Sequence, residues 1–148
     1  MSGHNYGWEK GGLPLREPDS DFPGIRTLDD LYEALSGLWC AETCAPRMRA
    51  DWNPENRTLG QCSVTAFLTQ DLFGGNVFGV PLGDGNYHCY NVIGDVVFDL
   101  TSEQFGDEKL DYTNNPEQFR EVDFSKAEKY ERYEYLKSKL KQFTETNS

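Results

Sequence analysis

The sequence has no long hydrophobic run and is short of positive charge. Its 148 residues contain 14 Lys and Arg against 25 Asp and Glu, which gives a formal net charge of −11. Without about 20 consecutive apolar residues we expect no membrane span. Nucleic-acid affinity comes largely from Lys and Arg that neutralise phosphates, so we expect no nucleic-acid partner.

The amino terminus also lacks the basic and apolar regions of a secretory signal peptide, and we therefore expect a cytoplasmic protein. The chain has four cysteines, Cys40, Cys44, Cys62 and Cys89. In a reducing compartment free thiols or metal ligands are expected more often than disulfides. Neither a phosphate loop nor a dinucleotide fingerprint is present, and no cofactor is predicted.

The length and a hydrophobic content of 37% fit one globular domain over 1–148. Residues 1–24 are rich in Gly, Pro and polar groups, which predicts an irregular arm. A helix is predicted next, with Thr27 as its N-cap and Asp30 completing a capping box. A second, buried helix begins near Cys62 and ends at the paired glycines 74–75.

Three short β-like runs follow, at 76–80, 87–93 and 96–101, and turn residues separate them. They predict an antiparallel sheet. A capping-box pair, Ser125 and Glu128, marks an amphipathic helix over 123–144. The fold class is therefore α+β, in the order helix, helix, three strands, helix.

Cys62 stands where the second helix begins. Free backbone N–H groups and the positive end of the helix dipole favour a thiolate there over a thiol. The same N–H groups, at Cys62 and Ser63, could hold the oxyanion that forms when a thiolate attacks a carbonyl. The side chain of Gln61 could add a further donor.

A thiolate nucleophile needs a base, and the chain has only two histidines, His4 in the arm and His88 on the middle strand. His88 is therefore the predicted base. A two-residue turn at 94–95 pairs the strands so that Asp99 shares a face with His88 and could orient the imidazole. The same register places Asn91 on the opposite face unless a bulge intervenes.

Simpler structural roles exist for each of these residues. Cys62 could be a small buried hydrophobic residue, His88 a core histidine, and Asp99 the cap of a following turn. Cys40 and Cys44, at i and i+4, share a helix face and could join a zinc site. Their spacing matches no zinc finger or ribbon, and we do not predict a metal.

Three motifs in order give the chain a family resemblance. They are GQC-x-x-TA-x-L-x-QD-x-x-GG at 60–75, H-x-x-N from His88 to Asn91, and D-L-T-x-x-QF from Asp99 to Phe105. Over roughly 27–106 the chain resembles the YunG-like family of small bacterial proteins. That family is similar to the compact papain-like, NlpC/P60 and transglutaminase-type core.

The resemblance implies Cys62 as nucleophile, His88 as base and Asp99 as the orienting group, with Gln61, Ser63 and Asn91 at the oxyanion site or site wall. We therefore expect a cysteine-dependent hydrolase or acyl transferase that acts on a peptide or small amide. The alternative is a binding module that keeps the same fold without turnover. Neither the residues nor the resemblance identifies the substrate or an oligomeric state.

Overall fold

The computed structural model of the protein describes residues 21–83, 85–105, 108 and 110–146. The predicted arm, 1–24, lies outside these residues except for its last four. Among the last four, Phe22 is buried in the hydrophobic core.

The described chain is α+β, as the sequence predicted. Its elements are α1 (Leu28–Ser36), α2 (Cys62–Phe73), β1 (Asn76–Pro81), β2 (Tyr87–Ile93), β3 (Val96–Phe98), β4 (Glu117–Gln118), α3 (Arg120–Asp123) and α4 (Ala127–Thr146). Short 3-10 turns lie between α1 and α2 and after β3. Within the described ranges no helix is both long and apolar enough to cross a membrane.

The four strands form one antiparallel sheet in the order β3-β2-β1-β4. The predicted two-residue turn is present, and Ile93 pairs with Val96 as the register required. The β2–β3 ladder stops at the pair Asn91 and Phe98, so β3 is shorter than the predicted run. The two-residue strand β4 carries no period-2 pattern, and the sequence did not indicate it.

The helix ends follow the capping chemistry in one case and not in the other. Thr27 and Asp30 form the predicted capping box at the start of α1. At the carboxyl end Ser125 is not the residue before the helix, since α4 begins at Ala127, and the Ser125 hydroxyl donates to the Val122 carbonyl. The chain there makes the short helix α3 first, and α4 begins at Ala127.

Helix α2 is the centre of the molecule. It packs between β2 and α4, and its residues from Ser63 to Thr69 are all buried. The Asn91 side-chain amide donates to the Ala66 carbonyl at 2.9 Å and so joins β2 to α2. With its position fixed on two sides, α2 holds its first residue, Cys62, at a constant place relative to the sheet.

The turn into α2 depends on Gly60, which has a left-handed backbone with φ of 71°. A Cβ atom there would lie 2.5 Å from the Cys44 sulfur and 3.0 Å from the Ala45 nitrogen. Gly74, at the other end of α2, has a similar φ of 84° but open space around it. Glycine is therefore required at 60 for two reasons, backbone conformation and packing.

We expect Gly60→Ala to lower the free energy of unfolding more than Gly74→Ala does. Both substitutions force a side chain to a positive φ, and only the first also overpacks the core, which adds roughly 2 kcal/mol. Urea denaturation of the two variants measures the difference. Equal losses of unfolding free energy would show that Cys44 and Ala45 move aside at no cost and would contradict the packing argument.

Candidate active site

The thiol of Cys62 lies at the start of α2 and is partly exposed to a cleft of about 520 Å³. Its sulfur is 3.9 Å from the Tyr87 carbonyl oxygen. The N–H groups of Cys62 and Ser63 belong to the first helical turn, where an α-helix provides no acceptor for them. Ser63 also lines the cleft. The structure thus brings Cys62 and Ser63 together at one opening.

The thiol occupies a place that β3 leaves empty. Because β3 ends opposite Asn91, the backbone of β2 before that residue has no strand beside it on this edge. The Cys62 thiol lies close to Cys89 here, and the Cys89 backbone N–H lowers the pKa of that thiol. His88 and Cys89 face opposite sides of the strand, yet both reach the sulfur because it lies at the edge of the sheet.

His88 and Asp99 form a buried pair. The His88 Nε2 atom is 2.6 Å from Asp99 Oδ2, and each side chain is 1% exposed. The Phe105 ring meets the imidazole edge-on, with 4.7 Å between ring centroids. Since Nε2 is held by the carboxylate, Nδ1 is the ring nitrogen that remains for the Cys62 thiol. The structure therefore joins His88 to Asp99 and places His88 and Cys62 along the same cleft.

Two further residues hold the Asp99 carboxylate. Tyr112 donates its hydroxyl to Oδ2 at 2.7 Å, and Thr101 donates its N–H and its hydroxyl to Oδ1 at 3.0 and 3.2 Å. The sequence reasoning did not include either residue. The Asp-x-Thr spacing is typical of a local side-chain turn and could have indicated Thr101. Nothing local indicates Tyr112, which reaches Asp99 only through the fold.

The surroundings of His88 favour its protonated form. Burial acts to lower the pKa of the imidazole, but the Asp99 carboxylate and the Cys62 thiolate outweigh burial and raise it from 6.5 to about 10. Because two negatively charged groups, the Asp99 carboxylate and the Cys62 thiolate, lie beside the ring, they stabilise the imidazolium.

Two thiols, Cys62 and Cys89, lie at the site, and their environments shift their pKa values in opposite directions. The hydrogen bond from the Cys89 thiol lowers the pKa of Cys62 well below its ordinary value; burial opposes this, and His88 lowers the pKa further. The same contact raises the pKa of Cys89 well above its ordinary value, and burial adds to the rise. These directions favour Cys62 over Cys89 as the thiolate of the pair.

Gln61 is not brought to the oxyanion position. Its side chain is fully buried, with its oxygen accepting from the Thr43 hydroxyl at 2.7 Å and its nitrogen donating to the Cys40 carbonyl at 3.1 Å. These contacts hold the residue before Cys62 against the turn around Thr43. The side chain supports the backbone at Cys62 and points away from the cleft.

Asn91 also lies away from the predicted site wall. It is buried on the side of β2 that faces α2, where it donates to Ala66, and it does not line the cleft. The reason is the strand period: His88 and Asn91 are three residues apart and face opposite sides. The register argument that placed Asn91 opposite His88 agrees with this position.

The four cysteines are free thiols. Cys44 is buried beside Gly60, while Cys40 has the Lys139 ammonium 3.6 Å from its sulfur. Within the described part of the chain no group of three or more His, Cys, Asp or Glu side chains is arranged to hold a metal ion. The i and i+4 pair of cysteines therefore gathers no further ligands there.

Comparison with known proteins gives the family. The family model described as YunG protein matches residues 27–145, and the chain belongs to the YunG family. The chain is 40% identical over 86 residues to the "Uncharacterized protein YunG" of Bacillus subtilis (strain 168), a match that covers 58% of this chain and 71% of that protein. No solved structure matches.

We expect Cys62 to react with iodoacetamide at a rate that changes little between roughly pH 6.5 and 9, because its thiolate persists well below the ordinary pKa of about 8.5. A free thiol accelerates steeply over the same interval. In His88→Ala, loss of the imidazolium raises the pKa of Cys62 and slows the reaction most at the acid end. Peptide mass spectrometry reports each cysteine separately.

Cys89→Ser and Cys89→Ala provide the matched controls for this experiment. Serine keeps a hydroxyl donor toward the Cys62 sulfur, and alanine removes it, so the rate at low pH should fall more in the alanine variant. A steep pH profile for Cys62 in the unmodified protein would contradict the thiolate assignment.

Proposed function

We propose that the protein is a cysteine-dependent hydrolase or acyl transferase acting on an amide or related acyl bond. The observation that carries the proposal is the buried His88–Asp99 pair adjoining a thiol at a helix start and an open cleft. A histidine that only fills space in a core does not need a carboxylate, a thiol and access to a cleft at once.

In the proposed reaction the Cys62 thiolate attacks the acyl carbon of the substrate. The bond to the leaving group breaks, and His88 gives its proton to the departing amine. The acyl group stays on sulfur as a thioester. His88, now neutral, takes a proton from water or an acceptor amine, which attacks the thioester and regenerates Cys62.

Asp99 keeps the imidazole in the tautomer that this cycle requires. Its hydrogen bond to Nε2 leaves Nδ1 as the atom that exchanges the proton on the side of the thiol. Tyr112 and Thr101 donate to the oxygens of the carboxylate and hold it in place. We assign Asp99 a positioning role and the proton transfer to His88.

The oxyanion of the tetrahedral intermediate would lie at the first turn of α2. The N–H groups of Cys62 and Ser63 are directed toward incoming negative charge there, and the helix dipole adds to their effect. With Gln61 engaged elsewhere, backbone donors carry this function. Removing one such donor typically lowers turnover by 10²- to 10³-fold.

We also propose that the core is of the papain-like type. Two features support this: the cysteine opens the central helix, and the histidine and its carboxylate come from a following antiparallel hairpin. Membership of the YunG family adds a shared sequence pattern to these features but gives no substrate.

A binding module is the second candidate function, and the burial of His88 favours it. Since His88 is 1% exposed, a ligand in the cleft meets the thiol before the imidazole. A peptide or small amide could be held there without being cleaved. Turnover separates the two functions.

We expect p-nitrophenyl acetate to acetylate Cys62 and the acetyl group then to be hydrolysed, giving a burst followed by steady release of nitrophenolate. Cys62→Ser should abolish the burst and keep the thermal midpoint nearly unchanged. His88→Ala should slow both phases, and Asp99→Asn should slow them less. Absorbance and intact mass follow the two phases.

Cys40→Ser, which removes a thiol outside the cleft, is the matched control and should retain both phases. One acetyl group that stays on Cys62 without release would favour the binding module. Equal burst rates for the His88→Ala variant and the unmodified protein would remove the base from the mechanism.

A further inference from the structure

The cleft at Cys62 has a charge opposite to that of the chain. Among the residues that the structure describes, four Lys and Arg side chains line it, against two Asp and Glu side chains. The four are Arg47, Lys126, Lys129 and Arg132. In a chain of net charge −11, this concentration creates a local positive potential where the nucleophile opens to solvent.

Arg132 is the most deeply placed of the four cations, with 6% of its surface exposed. Its Nη1 donates to the Thr43 carbonyl at 3.0 Å, and its Nε pairs with Glu128. Its Nη2 atom makes no hydrogen bond to any described residue. A guanidinium that is buried, fixed on one side and has an unused nitrogen is suited to accept a carboxylate oxygen.

The other cations surround the opening with little neutralisation. Arg47 and Lys126 are exposed, and neither forms an ion pair with a described residue. Lys129 is 3.7 Å from Asp123, which is a weak contact. Lys126 immediately precedes α4, and Lys129 and Arg132 follow at three-residue intervals within it, so the three cations lie along one side of the cleft.

We propose that the cleft binds acyl compounds that carry a carboxylate, with Arg132 as the inner contact and Arg47 and Lys126 attracting the anion at the rim. That such a compound is a substrate, and not only a ligand, rests on the proposed function. The charge preference of the cleft does not rest on it, because a thiol reagent of defined charge can measure that preference without any acyl chemistry.

The probes are two methanethiosulfonates of similar size, the anionic sulfonatoethyl and the cationic trimethylammonioethyl reagent. Each forms a disulfide with the Cys62 thiolate and releases methanesulfinate. The rate ratio, anionic over cationic, is divided by the same ratio for 2-mercaptoethanol. Cys62 should give a normalised ratio on the order of 10 at low ionic strength, and added salt should reduce it.

Arg47→Gln and Lys126→Gln should each lower this normalised ratio by about threefold or more, because each removes one charge at the rim. Lys141→Gln is the matched control: it removes the same charge from an exposed position on α4 that does not line the cleft. It should leave the ratio unchanged.

A normalised ratio of one or less in the unmodified chain would overturn the inference, as would equal effects of Lys126→Gln and Lys141→Gln. A high ratio in a protein that shows no turnover of p-nitrophenyl acetate would keep the charge preference and reject the hydrolase. The experiment can therefore reject the charge preference of the cleft and the hydrolase function independently of each other.

Discussion

The buried hydrogen bond between His88 and Asp99 is the interaction on which the rest of the site depends. A carboxylate taken out of water is strongly destabilising unless donors surround it. Asp99 meets this requirement with donors from His88, Tyr112 and the Thr101 backbone and hydroxyl. Since these donors come from β2, from the residues after β3 and from the chain before β4, the carboxylate joins three segments.

The charge on Asp99 also sets the ionisation of the thiol that it does not touch. The carboxylate stabilises the imidazolium, the imidazolium stabilises the Cys62 thiolate, and the Cys89 thiol remains neutral and donates. Each charge in this line has a neighbour of opposite sign, which offsets part of the cost of burying it. The site is best regarded as one electrostatic unit of four side chains.

Local chemistry made much of this predictable. The capping box at Thr27, the start of α2 at Cys62 and the hairpin turn each depend on residues close in sequence, and the turn alone placed Asp99 on the face of His88. Contacts across the fold were not predictable. The donation of Tyr112 to Asp99 and the fastening of Gln61 to Thr43 and Cys40 arise only when distant segments meet.

The shortness of β3 has a consequence for how this architecture can vary. Two more antiparallel pairs would carry the ladder past Asn91 and set a strand beside Cys89, in the space where the Cys62 thiol now lies. At this edge of the sheet, a longer β2–β3 ladder and the Cys62 thiol thus cannot occupy the same space. A redesign that seeks stability by lengthening the hairpin ladder would erase the site without altering any of its side chains.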